Sequence, residues 1–291
     1  MTLFAAFCAV HPLRRAWAAE HSWEYIDAGV GNPPLIMLPG GFGVATTSFQ
    51  YIQALARDRR VIALSYPPGI DRIVVLCDGL AALLDTLSVP RVWVLGGSAG
   101  GFWAQAFVRR YPDRVAGMIL AQSGVPRPVR AHISRACAAL LNALPMPLIF
   151  ALLRLSIAAD LRGASEGRRF WRGHFAEVLA DQSRSALVNR FRLAADFDAN
   201  DQKYGGRFSG EGQSLGIPYH VAIIESARDG LVGPGEQAAL RALYPGADVY
   251  TLAGGHNDSV ERPEEQIALI SRILRESCAT PGCIYRTSML Q

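Results

Sequence analysis

A serine lies in a short glycine-rich turn between an apolar run and a stretch compatible with a helix. The run Val-Trp-Val-Leu at 92–95 precedes Gly-Gly-Ser-Ala-Gly at 96–100, and a helical pattern follows at 102–108. This context fits the G-x-S-x-G nucleophile elbow, a sharp turn that strains the serine backbone and exposes its hydroxyl. The flanking glycines keep strand and helix from clashing. We therefore take Ser98 as a candidate nucleophile at the end of a buried strand.

Short apolar runs alternate with helical patterns through the first half of the chain. The runs at 35–38, 61–64, 92–95 and 116–121 are continuous, as in strands that are buried on both faces. Helical patterns at 49–56 and 73–87 separate them. The alternation predicts an α/β fold with a mostly parallel central sheet and helices on both faces. The alternating segment at 23–27 predicts an additional strand at an edge of that sheet.

The alternation of strand and helix patterns stops after residue 125 and resumes after residue 214. Helices are predicted between these points, at 131–144, 149–161 and 175–197, followed by a polar, glycine-rich segment at 200–213. Strands are predicted again at 219–224 and 248–252, and a last helix at 264–276. We therefore expect a core formed by 1–125 and 215–291, with a helical cap insertion at 126–214. The aromatic residues of the insertion fit either ordinary packing or the lining of a pocket.

Composition excludes several classes of protein. Half of the residues are apolar and 19% are charged, which is typical of a compact globular protein. The net charge of +4 comes with no concentrated basic tract, so we expect no nucleic-acid partner. No apolar run reaches the length of a transmembrane helix, so we expect no integral membrane segment.

The beginning of the chain and the cysteines bear on its location. The apolar residues 3–10 precede Arg14-Arg15, the reverse of the order in a secretory leader, which makes a cytoplasmic location the default. Cleavage near 16–19 remains an alternative. The five cysteines form no C-x-x-C pair, which argues against a disulfide framework or a zinc site. Cys278 and Cys283 could pair under oxidation.

Two further polar residues follow predicted strands of the second half. Asp229 comes after the run at 219–224, and His256 comes after the strand at 248–252. The carboxyl ends of parallel strands meet at one edge of a sheet, so both should lie near Ser98. An imidazole can take the proton of an attacking serine, and a carboxylate can orient that imidazole. The order Ser98, Asp229, His256 is that of an α/β-hydrolase triad.

Alternatives to these assignments remain. Asp229 precedes a glycine and could be a turn residue, in which case Glu225 is the second candidate acid. The other histidines lack a matching context, and we interpret them as structural or surface groups: His11, His21, His132, His174 and His220.

Serine chemistry also requires backbone N–H groups directed at the oxygen that gains negative charge. The N–H of Ala99, directly after the serine, is the first candidate donor. The glycine-rich turn after Leu38 should supply the second, with Gly41 as the first choice and Phe42 as the next. This chemistry requires no metal and no organic cofactor.

The motifs at 38–43, 96–101, 227–230 and 254–256 together resemble the α/β-hydrolase superfamily, over about residues 22–277. The resemblance implies a serine hydrolase that cleaves a small ester, thioester or related acyl substrate beneath a helical cap. Members usually carry His-Gly at the turn where this chain has Pro39-Gly40.

The Tyr-Pro link at 66–67 and the stretch at 77–80 are similar to the maspardin-like branch of that superfamily. Proteins of this branch are described as interaction or trafficking proteins. The resemblance therefore implies a second hypothesis, a non-catalytic binding protein with a protein partner. A third hypothesis is acyl transfer or cyclisation by the same three residues. The sequence leaves the substrate and the oligomeric state open.

Overall fold

The structure is a computed structural model that describes residues 3–161, 166–200 and 219–279. Within these ranges eight strands form one sheet. They are β1 (Arg14–Ala18), β2 (His21–Ala28), β3 (Leu35–Leu38), β4 (Val61–Ser65), β5 (Val92–Gly97), β6 (Val115–Ala121), β7 (His220–Ser226) and β8 (Asp248–Leu252). The segment 201–213, the chain after residue 279 and the side chains of the predicted Cys278–Cys283 pair lie outside the described part.

The helices alternate with the strands from β3 to β6, as the sequence predicts. They are α1 (Leu3–Val10), α2 (Phe49–Leu55), α3 (Ile73–Thr86), α4 (Ala99–Arg110), α5 (Pro128–Ala143), α6 (Met146–Asp160), α7 (Glu166–Ala180), α8 (Arg184–Asn200), α9 (Pro234–Leu243), α10 (Asp258–Glu261) and α11 (Pro263–Ala279). Across the described ranges, none of them combines the length and the apolar character that crossing a membrane requires.

The sheet has the order β1-β2-β4-β3-β5-β6-β7-β8. From β4 to β8 all neighbouring strands are parallel, and β2 is antiparallel to both β1 and β4. The mostly parallel sheet is thus confirmed. The predicted edge position of the strand at 23–27 is wrong, because β2 pairs on both sides and β1 is the edge. Two of the five residues of β1 are arginines and the strand is largely exposed, so it lacks the apolar pattern that would have predicted it.

Alternate residues of the central strands pack into separate apolar layers on the two faces of the sheet. Ile36, Ile62 and Val94 point to the layer that holds α3 and α4. Their neighbours in the chain point to the opposite layer, which holds α2 and α11. Because both faces are covered, the central strands are apolar at most positions, which explains the continuous runs in the sequence.

The first described residues belong to this second layer. Leu3–Val10 forms α1, and Phe7 is buried with its ring 5.7 Å from that of Phe49. The sequence assigned no secondary structure to this segment, because eight mostly apolar residues have no helical period.

In the described residues between β6 and β7 there are four helices, α5 to α8; we call them the intervening helices. The single helix predicted at 175–197 is wrong, because α7 ends at Ala180 and α8 begins at Arg184. Ser183 accounts for the break. Its hydroxyl oxygen accepts a hydrogen bond from the N–H of Ala186 at 3.2 Å, as an N-cap side chain does.

A buried ion network fixes the intervening helices to the core. Arg130 of α5 donates to the Asp198 carboxylate of α8 at 2.8 Å and to the Glu236 carboxylate of α9 at 2.7 Å. Both carboxylates are almost fully buried. Arg130 also lies 4.3 Å from the ring centre of Phe102 on α4. One cation therefore joins two intervening helices to two core helices.

We expect Arg130→Met to lower the free energy of unfolding by about 3 kcal/mol, because it leaves two buried carboxylates without their shared cation. Urea unfolding of the variant measures this. The matched control is Arg15→Met, which removes an exposed arginine paired with Glu24 and should cost at most about 1 kcal/mol. Equal losses in both variants would contradict a special role for Arg130.

Candidate active site

Ser98 lies between the end of β5 and the start of α4, in a backbone conformation that is unfavourable for a side chain. Its φ is 50° and its ψ is −123°. Three hydrogen bonds of 2.9 Å hold it there. The N–H of Ser98 donates to the carbonyl of Ala121, and its own carbonyl accepts from Ser123 Oγ and from the N–H of Gly101. The turn thus directs the Ser98 side chain away from the sheet.

Two glycines of this turn are required by close packing. A Cβ on Gly96 would overlap the backbone of Gly100 and Gly101. A Cβ on Gly100 would overlap the carbonyl oxygen of Leu38, at the end of β3. A Cβ on Gly97 would meet only the Ala121 carbonyl oxygen, at 4.0 Å, which is ordinary contact.

The structure brings Ser98, His256 and Asp229 into one chain of hydrogen bonds. Ser98 Oγ lies 2.9 Å from His256 Nε2. His256 Nδ1 lies 2.9 and 3.1 Å from the two carboxylate oxygens of Asp229. An ionised carboxylate only accepts, so Nδ1 carries the proton and Nε2 accepts from the serine hydroxyl. This arrangement can remove the serine proton during an attack.

Asp229 is buried, and its carboxylate is stabilised from three sides. Oδ1 accepts from the N–H groups of Leu231 and Val232, both at 2.8 Å. Burial alone would raise the pKa of Asp229, but the hydrogen bonds from His256 and from these two N–H groups outweigh it and hold the pKa below its ordinary value. The turn Arg-Asp-Gly therefore provides an ionised carboxylate at neutral pH.

Glu225, the second candidate acid, lies elsewhere. Its Oε2 accepts from Arg241 at 2.6 Å, and it makes no hydrogen bond to His256. Its sequence position one residue before the end of β7 directs its side chain away from the site.

The remaining histidines have other surroundings. His174 is buried among aromatic rings, with Phe4 at 4.4 Å and Phe170 stacked at 5.8 Å. His220 lies at the opposite end of the sheet between Asp248 and Ser277, each at 2.7 Å. There Ser277 Oγ donates to the Ile273 carbonyl at 2.8 Å, so its proton is held by the helix.

The residues with the candidate N–H groups either follow Ser98 in the chain or line a cavity together with it. Ala99 is the first residue of α4, where an N–H has no partner within the helix. Gly41 and Phe42 are the residues that share this cavity with Ser98, and they lie in a turn closed by a 2.9 Å hydrogen bond from Gly43 N–H to Gly40 O. Tyr66 Oη donates to the Pro39 carbonyl at 2.9 Å and holds the start of that turn.

A cavity of about 440 Å³ lies above Ser98 and His256. The core and the intervening helices both contribute to its walls, which are largely apolar. Phe42 and Phe175 both belong to the lining and stack on each other, with ring centres 4.5 Å apart. Among the residues of this lining that sequence reasoning did not single out is Arg190 of α8. Arginines are frequent in this chain, and nothing in the local pattern separates this one from the others.

Residues 33–263 match the α/β-hydrolase fold family. The chain belongs to this family. The enol-lactonase from Burkholderia xenovorans LB400 superposes with a TM-score of 0.73 at 19% identity, covering 90% of this chain and all of that one. This likeness shows the fold alone.

Two curated relatives match shorter parts of the α/β-hydrolase chain. Maspardin from Rattus norvegicus is 43% identical over 103 residues, which is 34% of this chain and 39% of maspardin. A 2-hydroxy-6-oxononadienedioate/2-hydroxy-6-oxononatrienedioate hydrolase from Burkholderia vietnamiensis is 33% identical over 118 residues, 36% of this chain and 41% of that protein. The matches thus span about two fifths of the length of these relatives.

We expect Gly100→Ala to destabilise the protein by about 3 kcal/mol, because the added methyl group overlaps the Leu38 carbonyl and neither backbone segment can move freely. Urea unfolding and soluble yield measure the effect. Gly97→Ala is the matched control, three residues away, and should change stability little. A stable Gly100→Ala variant would show that the turn is looser than described.

The lowered pKa of Asp229 predicts a pH-dependent contribution to stability. A carboxyl whose folded-state pKa is depressed stabilises the fold above its unfolded pKa of about 3.9 and loses that contribution as pH falls through the folded value. As pH falls below about 4, the unfolding free energy of the wild type should therefore fall relative to that of the Asp229→Asn variant. Urea midpoints from pH 7 to pH 3 test this, and a constant difference contradicts it.

Proposed function

We propose that this α/β-hydrolase cleaves a small ester, thioester or related acyl substrate through an acyl-enzyme. One observation carries the proposal: the hydrogen-bonded chain of Ser98, His256 and Asp229 opens into the apolar cavity. The residues alone provide a nucleophile, a base and an orienting carboxylate, so the reaction needs no cofactor.

In the first half of the reaction, Ser98 Oγ forms a bond to the acyl carbon and its proton passes to His256 Nε2. The carbonyl oxygen gains negative charge, and the N–H groups of Ala99 and Gly41, or of Phe42 in place of Gly41, donate to it. The tetrahedral centre then collapses. The bond to the alcohol or thiol breaks, and the leaving group takes the proton from His256.

The second half repeats this sequence with water. His256 Nε2 takes a proton from water as its oxygen attacks the acyl carbon, and returns it to Ser98 Oγ when the acyl-enzyme bond breaks. The carboxylic acid leaves, and the free serine is restored. Throughout, the Asp229 carboxylate stabilises the positive charge that His256 acquires.

The proposal gives the segment 126–214 the role of a cap over a core of 1–125 and 215–291. The residues of α6, α7 and α8 that line the cavity would exclude water and select the acyl group. The relative from Burkholderia vietnamiensis is a hydrolase by name, which supports hydrolysis over acyl transfer or cyclisation.

A second candidate function rests on the similarity to maspardin. It is a binding protein on the same fold, with a protein partner and without turnover. A fold does not determine function, so the two candidates are separated only by the chemistry of Ser98.

We expect Ser98→Ala to reduce turnover of 4-nitrophenyl butyrate at least about 10³-fold and to abolish labelling by a fluorophosphonate, because no other group replaces the nucleophile. Ser277→Ala is the matched control, since Ser277 also bonds a histidine but gives its proton to a helix carbonyl. That control should retain labelling and turnover. A wild-type protein that neither turns over esters nor accepts the label would favour the binding protein.

A further inference from the structure

Arg190 is a buried cation in the wall of the cavity above Ser98. It lies on α8 with 8% of its surface exposed. Its guanidinium packs against Gly43, where φ is +66° and a Cβ would overlap the Arg190 side chain. Tyr66 lies beneath it, 5.1 Å from ring centre to guanidinium carbon. Only glycine at position 43 allows this approach.

The guanidinium has unused donors. Its Nη2 makes two long hydrogen bonds, 3.3 Å to the Gly43 carbonyl and 3.4 Å to the Tyr66 carbonyl. Nε and Nη1 are buried and have no hydrogen-bond partner. Leaving such groups unpaired is costly, so a buried arginine is normally matched by an anion.

Arg130, discussed above, shows the usual solution in this protein, with two carboxylates around one guanidinium. Arg190 has no such partner. Among the described residues that line the cavity there is no aspartate and no glutamate, so no carboxylate of the lining neutralises the charge of Arg190. Burial lowers the pKa of Arg190 to about 10, which still leaves it a cation at neutral pH.

We propose that Arg190 binds a carboxylate of the substrate, so that the substrate class is an anionic acyl compound. The proposal rests on the function proposed above and names the substrate class of that site. A carboxylate that reaches the guanidinium would supply oxygens as partners for the two idle N–H groups, Nε and Nη1. The apolar walls of the cavity would hold the carbon chain between the carboxylate and the scissile carbonyl.

The position of Gly43 limits the length of that chain. Gly43 contacts Arg190 and lies two residues beyond Gly41, the candidate donor to the scissile carbonyl. Two residues span at most roughly 7 Å. A substrate that reaches both groups therefore has only a short carbon chain between its carboxylate and the scissile carbonyl, as in the monoester of a short dicarboxylic acid.

A purely structural role for Arg190 makes a different prediction. In that role Arg190 only holds the carbonyls of Gly43 and Tyr66, and its loss would disturb the turn that carries Gly41. Binding of every ligand would then fall, charged or neutral. Recognition of a carboxylate instead lowers binding of the charged ligand alone.

The test measures binding, so it does not depend on turnover. The Ser98→Ala variant is titrated by calorimetry with the monoethyl esters of straight-chain diacids of four to eight carbons. Each is compared with the neutral ester in which an amide replaces the free carboxyl group. We expect at least one acid to bind about 10- to 100-fold more tightly than its amide, the range for a charge-assisted hydrogen bond.

Added to Ser98→Ala, Arg190→Met should remove this preference by weakening the acid alone, and Arg190→Lys should keep part of it. Arg192→Met is the matched control. Arg192 lies on the same helix as Arg190, and its half-exposed positive charge is paired with Asp71. This variant should leave the preference intact. No preference for any acid of the series, an equal loss for acid and amide in Arg190→Met, or an equal effect of Arg192→Met overturns the proposal.

Failure here is distinct from failure of the proposed hydrolysis. Labelling and ester turnover of the wild type test Ser98, and the acid–amide preference tests Arg190. A protein that is labelled but binds acid and amide equally remains a candidate hydrolase for neutral substrates.

Discussion

The backbone of the β5–α4 turn lies directly against the end of β3, with Gly100 on the carbonyl of Leu38. This contact brings two separate parts of the chain together. The turn carries Ser98 and Ala99, and the residues after Leu38 carry Gly41 and Phe42. The parallel pairing of β3 with β5 places Leu38 opposite Gly96, so the two strands end at the same edge of the sheet. Glycine at 96 and 100 is the physical condition for this approach.

The second half of the chain reaches the same edge by pairing further strands onto β6. Asp229 and His256 follow β7 and β8, and both hydrogen-bond within the resulting crevice. The intervening helices then lie over this crevice, with α8 attached to the core through Asp196 and Asn189. The same helix contributes Arg190. Helix α8 thus contributes both to the attachment of the intervening helices and to the charge of the cavity.

Much of this was predictable from local pattern. Continuous apolar runs identify strands that are covered on both faces, and a serine between glycines after such a run identifies a tight turn. Position at a strand end then selects Asp229 and His256 among many similar residues. β1 and the break at Ser183 were not predictable in this way, because an exposed arginine-rich edge strand and a single capping hydroxyl leave no periodic pattern.

The sequence by itself determined the order of the strands in the chain, the strained turn at Ser98 and the candidate partners of that serine. Only the tertiary structure decided that Glu225 pairs with Arg241, that His220 and Ser277 form a separate hydrogen-bonded group, and that Arg190 faces the cavity without an anion. The physical reason is the range of the interactions. Strand and turn propensities act between neighbours in the chain, whereas pairing of buried charges depends on which helices pack together.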